Sequence, residues 1–158
     1  MKTFRTNGAA GALLDEYEKA LNELLETVRP ISQETLIRIF DPETTDPNCV
    51  SIQSILSHVI KAGYNYAVVI RKSLGEQAEY KGIKTLDTIS QYEAEIKNMF
   101  AFNEALFRDY PNLELEQYDS AKKFTVTWGQ QYDVEQMLEH AIVHILRHRR
   151  QIEKFLQS

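Results

Sequence analysis

Cysteine is nearly absent from this chain of 158 residues, whose only cysteine is Cys49. A single thiol cannot form an internal disulfide, so a disulfide-stabilised scaffold is excluded and a reducing compartment is favoured. Long apolar runs are missing too, since no window approaches the ~18 consecutive apolar residues of a membrane span. No apolar segment follows the basic residue near the start, so no secretory signal is expected. These absences predict a cytoplasmic protein.

Positive charge is also in short supply, with 18 lysines and arginines against 23 acidic residues and a net charge of −5. This balance argues against nucleic acid and anionic membranes as partners. The 4 prolines and most of the 6 glycines stand between periodic segments, and no repeat or low-complexity tract divides the chain. A chain of this length can bury its own core. We therefore expect a single domain over residues 1–158.

Helical periodicity dominates what is present. Apolar residues recur every three or four positions in four long segments, at about 9–28, 51–74, 86–110 and 133–156, and a shorter helical turn is predicted near 35–40. Helices of this length span roughly 30 to 37 Å. The pattern predicts an all-α protein, a four-helix bundle.

The clearest helix start is the last one, where Asp133 and Gln136 have capping-box spacing and Tyr132 and Met137 have the spacing of a hydrophobic staple. The preceding stretch, about 111–132, shows no helical period. We expect it to form the long connection between the third and fourth helices, with 123–128 either a short extended piece or a covering loop.

Three of the four histidines, His140, His144 and His148, lie four residues apart on the fourth helix. Imidazoles one turn apart can reach the same metal ion. On a helical wheel His148 lies roughly 55° from the centre of the apolar face, His144 roughly 95° and His140 roughly 135°. The wheel therefore favours His144 and His148 as the chelating pair and places His140 outward, as a surface or supporting residue. A solvated face remains the alternative.

A third ligand would have to come from another helix, and His58 on the second helix is the only histidine left. It flanks the main apolar stripe of its helix and aligns with a second apolar strip, formed by Ile55, Ala62 and Val69. Periodicity therefore allows His58 as a ligand without requiring it.

Two segments carry a family resemblance: ILSHVI at 55–60 and LEHAIVHILRHRRQI at 138–152. Together with Trp128-Gly129 and the Tyr132-Asp133-Val134 stretch, they make the chain similar to the DinB-like superfamily, also called the YfiT-like metal-dependent hydrolases, over nearly its whole length. The resemblance implies a four-helix bundle that holds one divalent ion, zinc or nickel, through His58, His144 and His148. The extra i+4 step at His140 leaves open a ligand pair of His140 with His144.

A three-histidine site would leave a coordination position for water or substrate. Water could then be activated for hydrolysis, or a low-molecular-weight thiol for transfer to an electrophile. Because characterised relatives include thiol-dependent transferases and an isomerase, the resemblance favours thiol transfer over hydrolysis. A non-catalytic bundle that binds a partner, or pairs as a homodimer, is the rival from another class.

Further residues have two interpretations each. Glu135 and Glu139 can orient a histidine or serve as solvated acids, the latter being favoured. The aromatic residues Tyr64, Tyr66, Phe124 and Trp128 can line a pocket mouth or cover a bundle end, the latter being favoured. The arginines Arg147, Arg149 and Arg150 can hold an anionic substrate or complement the helix dipole, and the dipole is favoured.

Overall fold

The computed structural model describes residues 4–158 and confirms the all-α class. Five α-helices run along the chain: α1 (Gly8–Val28), α2 (Gln33–Ile37), α3 (Ile52–Ser73), α4 (Ile89–Asp109) and α5 (Val134–Leu156). In this part of the chain no helix is both long and apolar enough to cross a membrane. The four long helices agree closely with the four predicted segments.

Side-chain caps explain where these helices begin. Capping boxes start α3 at Ser51 with Ser54, α4 at Thr88 with Gln91 and α5 at Asp133 with Gln136, so the predicted Asp133 cap is present. The short α2 starts at residue 33 rather than 35, because the Ser32 side chain accepts a hydrogen bond from the Thr35 backbone N–H.

The long connection before α5 contains a small hairpin. Strand β1 (Phe124–Thr125) pairs antiparallel with β2 (Gln131–Tyr132), so the extended alternative for 123–128 holds for two residues. Trp128 and Gly129 lie in the loop of this hairpin, and Gly129 has a φ of 90°, a conformation that glycine adopts without strain. The hairpin packs against α3 and α5.

The long helices form a bundle in which α1 and α3 are diagonal to each other, since each packs against α4 and α5. Contacts between chain-distant residues set the directions. Ser57 bonds Tyr92 near the starts of α3 and α4, and Arg71 bonds Asp109 near their ends, so these two helices are parallel. Arg29 pairs with Glu93 at the opposite ends of α1 and α4, which are antiparallel.

The parallel α3 and α4 require a connection that returns along the bundle, and residues 74–88 supply it. This segment lies against α3, where Gln53 donates a hydrogen bond to the Leu86 carbonyl and Tyr80 stacks on Tyr64. The sequence pattern predicted the long connection before α5 but not this returning one.

A glycine in the middle of α3 allows α4 to approach closely. A Cβ at Gly63 would overlap the side chain of Met99, which is fully buried. The Met99 sulfur also accepts a hydrogen bond from the Tyr17 hydroxyl, and Asn103 donates to the Gly63 carbonyl. These contacts fix the Met99 side chain against the backbone of Gly63.

We expect Gly63→Ala to destabilise the protein by about 1 to 2 kcal/mol, because overpacking costs more than the gain in helix propensity returns. Urea unfolding monitored by circular dichroism measures the change. In a Met99→Ala background the same substitution should cost much less, since the obstructing side chain is gone. Equal costs in the two backgrounds would contradict the close approach.

Candidate metal centre

Three imidazoles from two antiparallel helices converge inside the bundle. His58 lies in the first half of α3, and His144 and His148 lie one turn apart on α5. The Nε2 atom of His144 is 3.0 Å from Nε2 of His58 and 3.2 Å from Nε2 of His148. The structure therefore brings together the three histidines that the resemblance singled out.

The geometry of this cluster fits a tetrahedral metal ion. Potential ligand atoms of the three residues all lie within 4.8 Å of one another. An ion with metal–nitrogen bonds of 2.0 to 2.1 Å would hold two ligand nitrogens ~3.3 Å apart. The two short separations are close to this value. Nitrogen lone pairs that converge so closely need either a shared proton or a cation between them.

Burial keeps these imidazoles neutral. His144 and His148 are only 6% and 3% exposed, and burial is the main cause that lowers the pKa of His144 to about 2 and that of His148 to about 4. Burial also lowers the pKa of the half-buried His58. Neutral imidazole is the form that binds metal, so all three side chains are ready to ligate at pH 7.

One hydrogen bond sets the tautomer of His148. Its Nδ1 lies 3.1 Å from the Oε1 of Gln151, one turn further along α5. A side-chain carbonyl only accepts, so Nδ1 carries the hydrogen and Nε2 keeps its lone pair. Gln151 is not among the residues that the sequence pattern indicated as histidine partners. Its i+3 spacing from His148 was the signal that could have found it.

His140 lies outside the cluster, with its ring centroid 6.2 Å from that of His144. The helical wheel predicted that His140 would point outward to solvent, but its ring is covered. It stacks on Trp128 at 4.5 Å and contacts Tyr66 and Tyr132 edge-on. The wheel missed this because the hairpin folds back over α5, and a wheel describes only the helix itself.

A cleft of about 440 Å³ opens beside the cluster. We call it the aromatic cleft. Its lining includes apolar and aromatic side chains, three histidines and five other polar or charged residues, namely Ala62, Tyr66, Val69, Trp128 and Met137; His58, His140 and His144; and Asn48, Lys61, Asn65, Thr127 and Arg147. Two of the four aromatic residues considered for a pocket mouth, Tyr66 and Trp128, line this cleft. The other two are not, since Tyr64 bonds Glu95 on the α4 side and Phe124 lines a different cavity.

The two acidic residues considered as histidine partners do not take that role. Among the described residues, no hydrogen bond joins Glu135 or Glu139 to a histidine, and Glu139 is exposed. The solvated interpretation holds for Glu139, whereas Glu135 is half-buried, and Gln151 occupies the orienting position at His148 instead. Cys49 is half-buried in the turn before α3, where its thiol contacts Asp46.

Fold and site together define a helical-bundle protein with an internal three-histidine cluster. The family model described as the DinB family matches residues 6–157. The match covers nearly the whole chain, and the protein belongs to the DinB family. No curated protein matches it in sequence.

Proposed function

We propose that this DinB-family protein binds one divalent ion, zinc or nickel, through His58, His144 and His148, and is an enzyme that transfers a low-molecular-weight thiol to a small electrophilic substrate. The convergence of three neutral imidazole nitrogens carries the proposal. When bound there, such an ion would lower the pKa of a thiol or water that occupies its open position.

The residues around the cluster supply binding and orientation. His144 and His148 are fixed on one helix, and Gln151 holds the ring of His148 through Nδ1. Tyr66 and Trp128 offer ring faces and edges to an apolar or aromatic electrophile in the aromatic cleft. The thiol sulfur would form the new bond to carbon, its proton would go to solvent, and the leaving group would depart with the bonding electrons.

Hydrolysis is the second candidate, because the same cluster and cleft could present water instead of a thiol. Thiol transfer is preferred on the resemblance to thiol-dependent relatives, which is an argument from the family. The aromatic cleft supports either reaction, since about 440 Å³ can hold a small organic substrate.

The test is a turnover screen on the untagged, metal-loaded protein, using aromatic and alkyl electrophiles with and without small thiols. We expect turnover that requires both a thiol and the metal, and that disappears on chelation and returns with zinc or nickel. Thiol-independent turnover would reverse the order of the two reactions. Equal turnover before and after chelation would contradict a metal-dependent enzyme of either kind.

Gln151 provides a separate prediction for the metal site. We expect Gln151→Leu to weaken metal affinity by roughly 10- to 100-fold, because His148 loses the partner that fixes its tautomer and ring orientation. Competition with a chromophoric chelator measures the affinity. Gln157→Leu, at the exposed end of α5, is the matched control and should bind as the parent does. Parental affinity in Gln151→Leu would remove its orienting role.

A further inference from the structure

A second cavity, of about 430 Å³, borders the histidine cluster next to the aromatic cleft. Its walls come from the last turns of α5 and the turn before α3, and three of its lining residues are the cations Arg147, Arg150 and Lys154. We call it the cationic pocket. His58 and Arg147 line both this pocket and the aromatic cleft, so the two cavities adjoin at the cluster.

The three cations of the pocket are not paired with carboxylates in the described part of the chain. Over residues 4–158, no ion pair involves Arg147, Arg150 or Lys154. Arg149, on the same helix, pairs with both Glu23 and Glu153. These three positive charges are grouped at one cavity of a chain whose net charge is −5.

The helix dipole does not explain this grouping. Its effect is confined to the last turn of a helix, and Lys154 is the only basic residue in the last turn of α5. Arg147 and Arg150 lie further from the end, at i and i+3 on one face, with Lys154 at i+7. The sequence favoured the dipole interpretation for Arg147, Arg149 and Arg150, and none of these arginines lies in the last turn of α5.

Among the described residues, Asp46 is the one acid that lines the cationic pocket. Its Oδ1 accepts hydrogen bonds from the backbone N–H and the side-chain amide of Asn48. These bonds fix the carboxylate within the turn before α3. These bonds help to lower the pKa of Asp46, so it stays ionised. The pocket retains an excess of about two positive charges over this carboxylate.

Arg147 links the pocket to the reacting centre. Together with His58 it lines both the cationic pocket and the aromatic cleft, and it directly precedes His148 in the chain. An anion held by Arg147 would therefore lie beside the position that a reacting group must occupy.

From this arrangement we infer that the cationic pocket is the subsite for a small organic anion of charge near −2, carried as carboxylate or phosphate groups on one of the reactants. The other reactant occupies the aromatic cleft. This inference rests on the proposed function for the identity of the reactants, whereas anion binding itself does not depend on turnover.

The test compares two variants of equal charge. One replaces Arg147, Arg150 and Lys154 with glutamine, and the control replaces the remote surface residues Lys19, Lys97 and Arg108 with glutamine. Succinate and inorganic phosphate are titrated separately into each metal-loaded protein, with calorimetry as the readout and fluorescence of Trp128, the only tryptophan, as a second one. Metal content is measured in every preparation.

We expect the parent and the control variant to bind at least one of the two anions, and the pocket variant to bind it roughly tenfold more weakly while retaining one metal ion per chain. Preference between succinate and phosphate distinguishes the two anionic groups. Three results would overturn the subsite. The first is that the parent binds neither anion, and the second is that the control loses as much affinity as the pocket variant. The third is that the pocket variant binds as tightly as the parent, as an anion held by the metal alone would. Absence of metal from the parent would overturn the proposed function, while anion binding is judged separately.

Discussion

Replacement of His144 with alanine is expected to abolish stoichiometric metal binding. His144 is the central member of the cluster, since its Nε2 is the atom that lies close to both His58 and His148. Its loss leaves two ligands on different helices, so the drop in affinity should exceed the roughly 10- to 100-fold that loss of an orienting partner costs. Elemental analysis of untagged protein should give one ion per chain in the parent and none in the variant.

His140→Ala is the matched control for this experiment. It removes an imidazole one turn away on the same helix, whose ring stacks on Trp128 outside the cluster. The control should keep one ion per chain. If it lost the ion while His144→Ala kept it, or if His144→Ala bound with parental affinity, the ligand set proposed here would be wrong.

Acidification is expected to destabilise the metal-free protein strongly. In the unfolded chain a histidine takes up its proton near pH 6.5. In the folded protein burial lowers the pKa of His144 to about 2 and that of His148 to about 4. The unfolded state therefore binds more protons below pH 6.5, and the stability present above this pH is lost as the pH falls. We expect a loss on the order of 2 kcal/mol or more between pH 7 and pH 5.

Urea unfolding in the presence of a chelator, repeated at several pH values, measures this loss. The double variant His144→Leu/His148→Leu is the comparison, because it removes both buried titrating groups. Its unfolding free energy should depend much less on pH over this range. Parallel pH profiles for the parent and the double variant would show that other groups cause the acid sensitivity.

The same low pKa values matter for metal binding. Each ligand is already deprotonated at neutral pH, so binding there does not require proton release from the three imidazoles. The free-energy cost of burying the histidines in their neutral form is therefore incurred when the chain folds and not when the metal binds. A rigid, deprotonated ligand set of this kind favours metal binding to the folded chain.

The positions of the long helices could be predicted because caps and apolar spacing are encoded within short stretches of sequence. The cap at Asp133, the capping partner at Gln136 and the apolar spacing of α5 all lie within one short stretch of chain. The proximity of His144 to His148 is equally local, since one turn of helix separates them. Family resemblance, rather than spacing, singled out His58, whose partner His144 is 86 residues away.

Other features depended on how the elements pack. Arg149 and Arg150 are neighbours in sequence, yet one pairs with Glu23 of α1 and the other lines the cationic pocket. His140 is covered because the hairpin carries Trp128 over it. The parallel arrangement of α3 and α4 also has no local signal, since it follows from contacts such as Ser57 with Tyr92.

The chain by itself determined where the helices begin and end, and which side chains share a face of α5. Only the tertiary structure decided that His58 turns towards that face, that Gln151 orients His148, and that two cavities of different character adjoin at the cluster. The physical reason is that backbone hydrogen bonds and caps act over a few residues. The rotation of a helix about its own axis and the path of a connection are instead set by packing against distant parts of the chain.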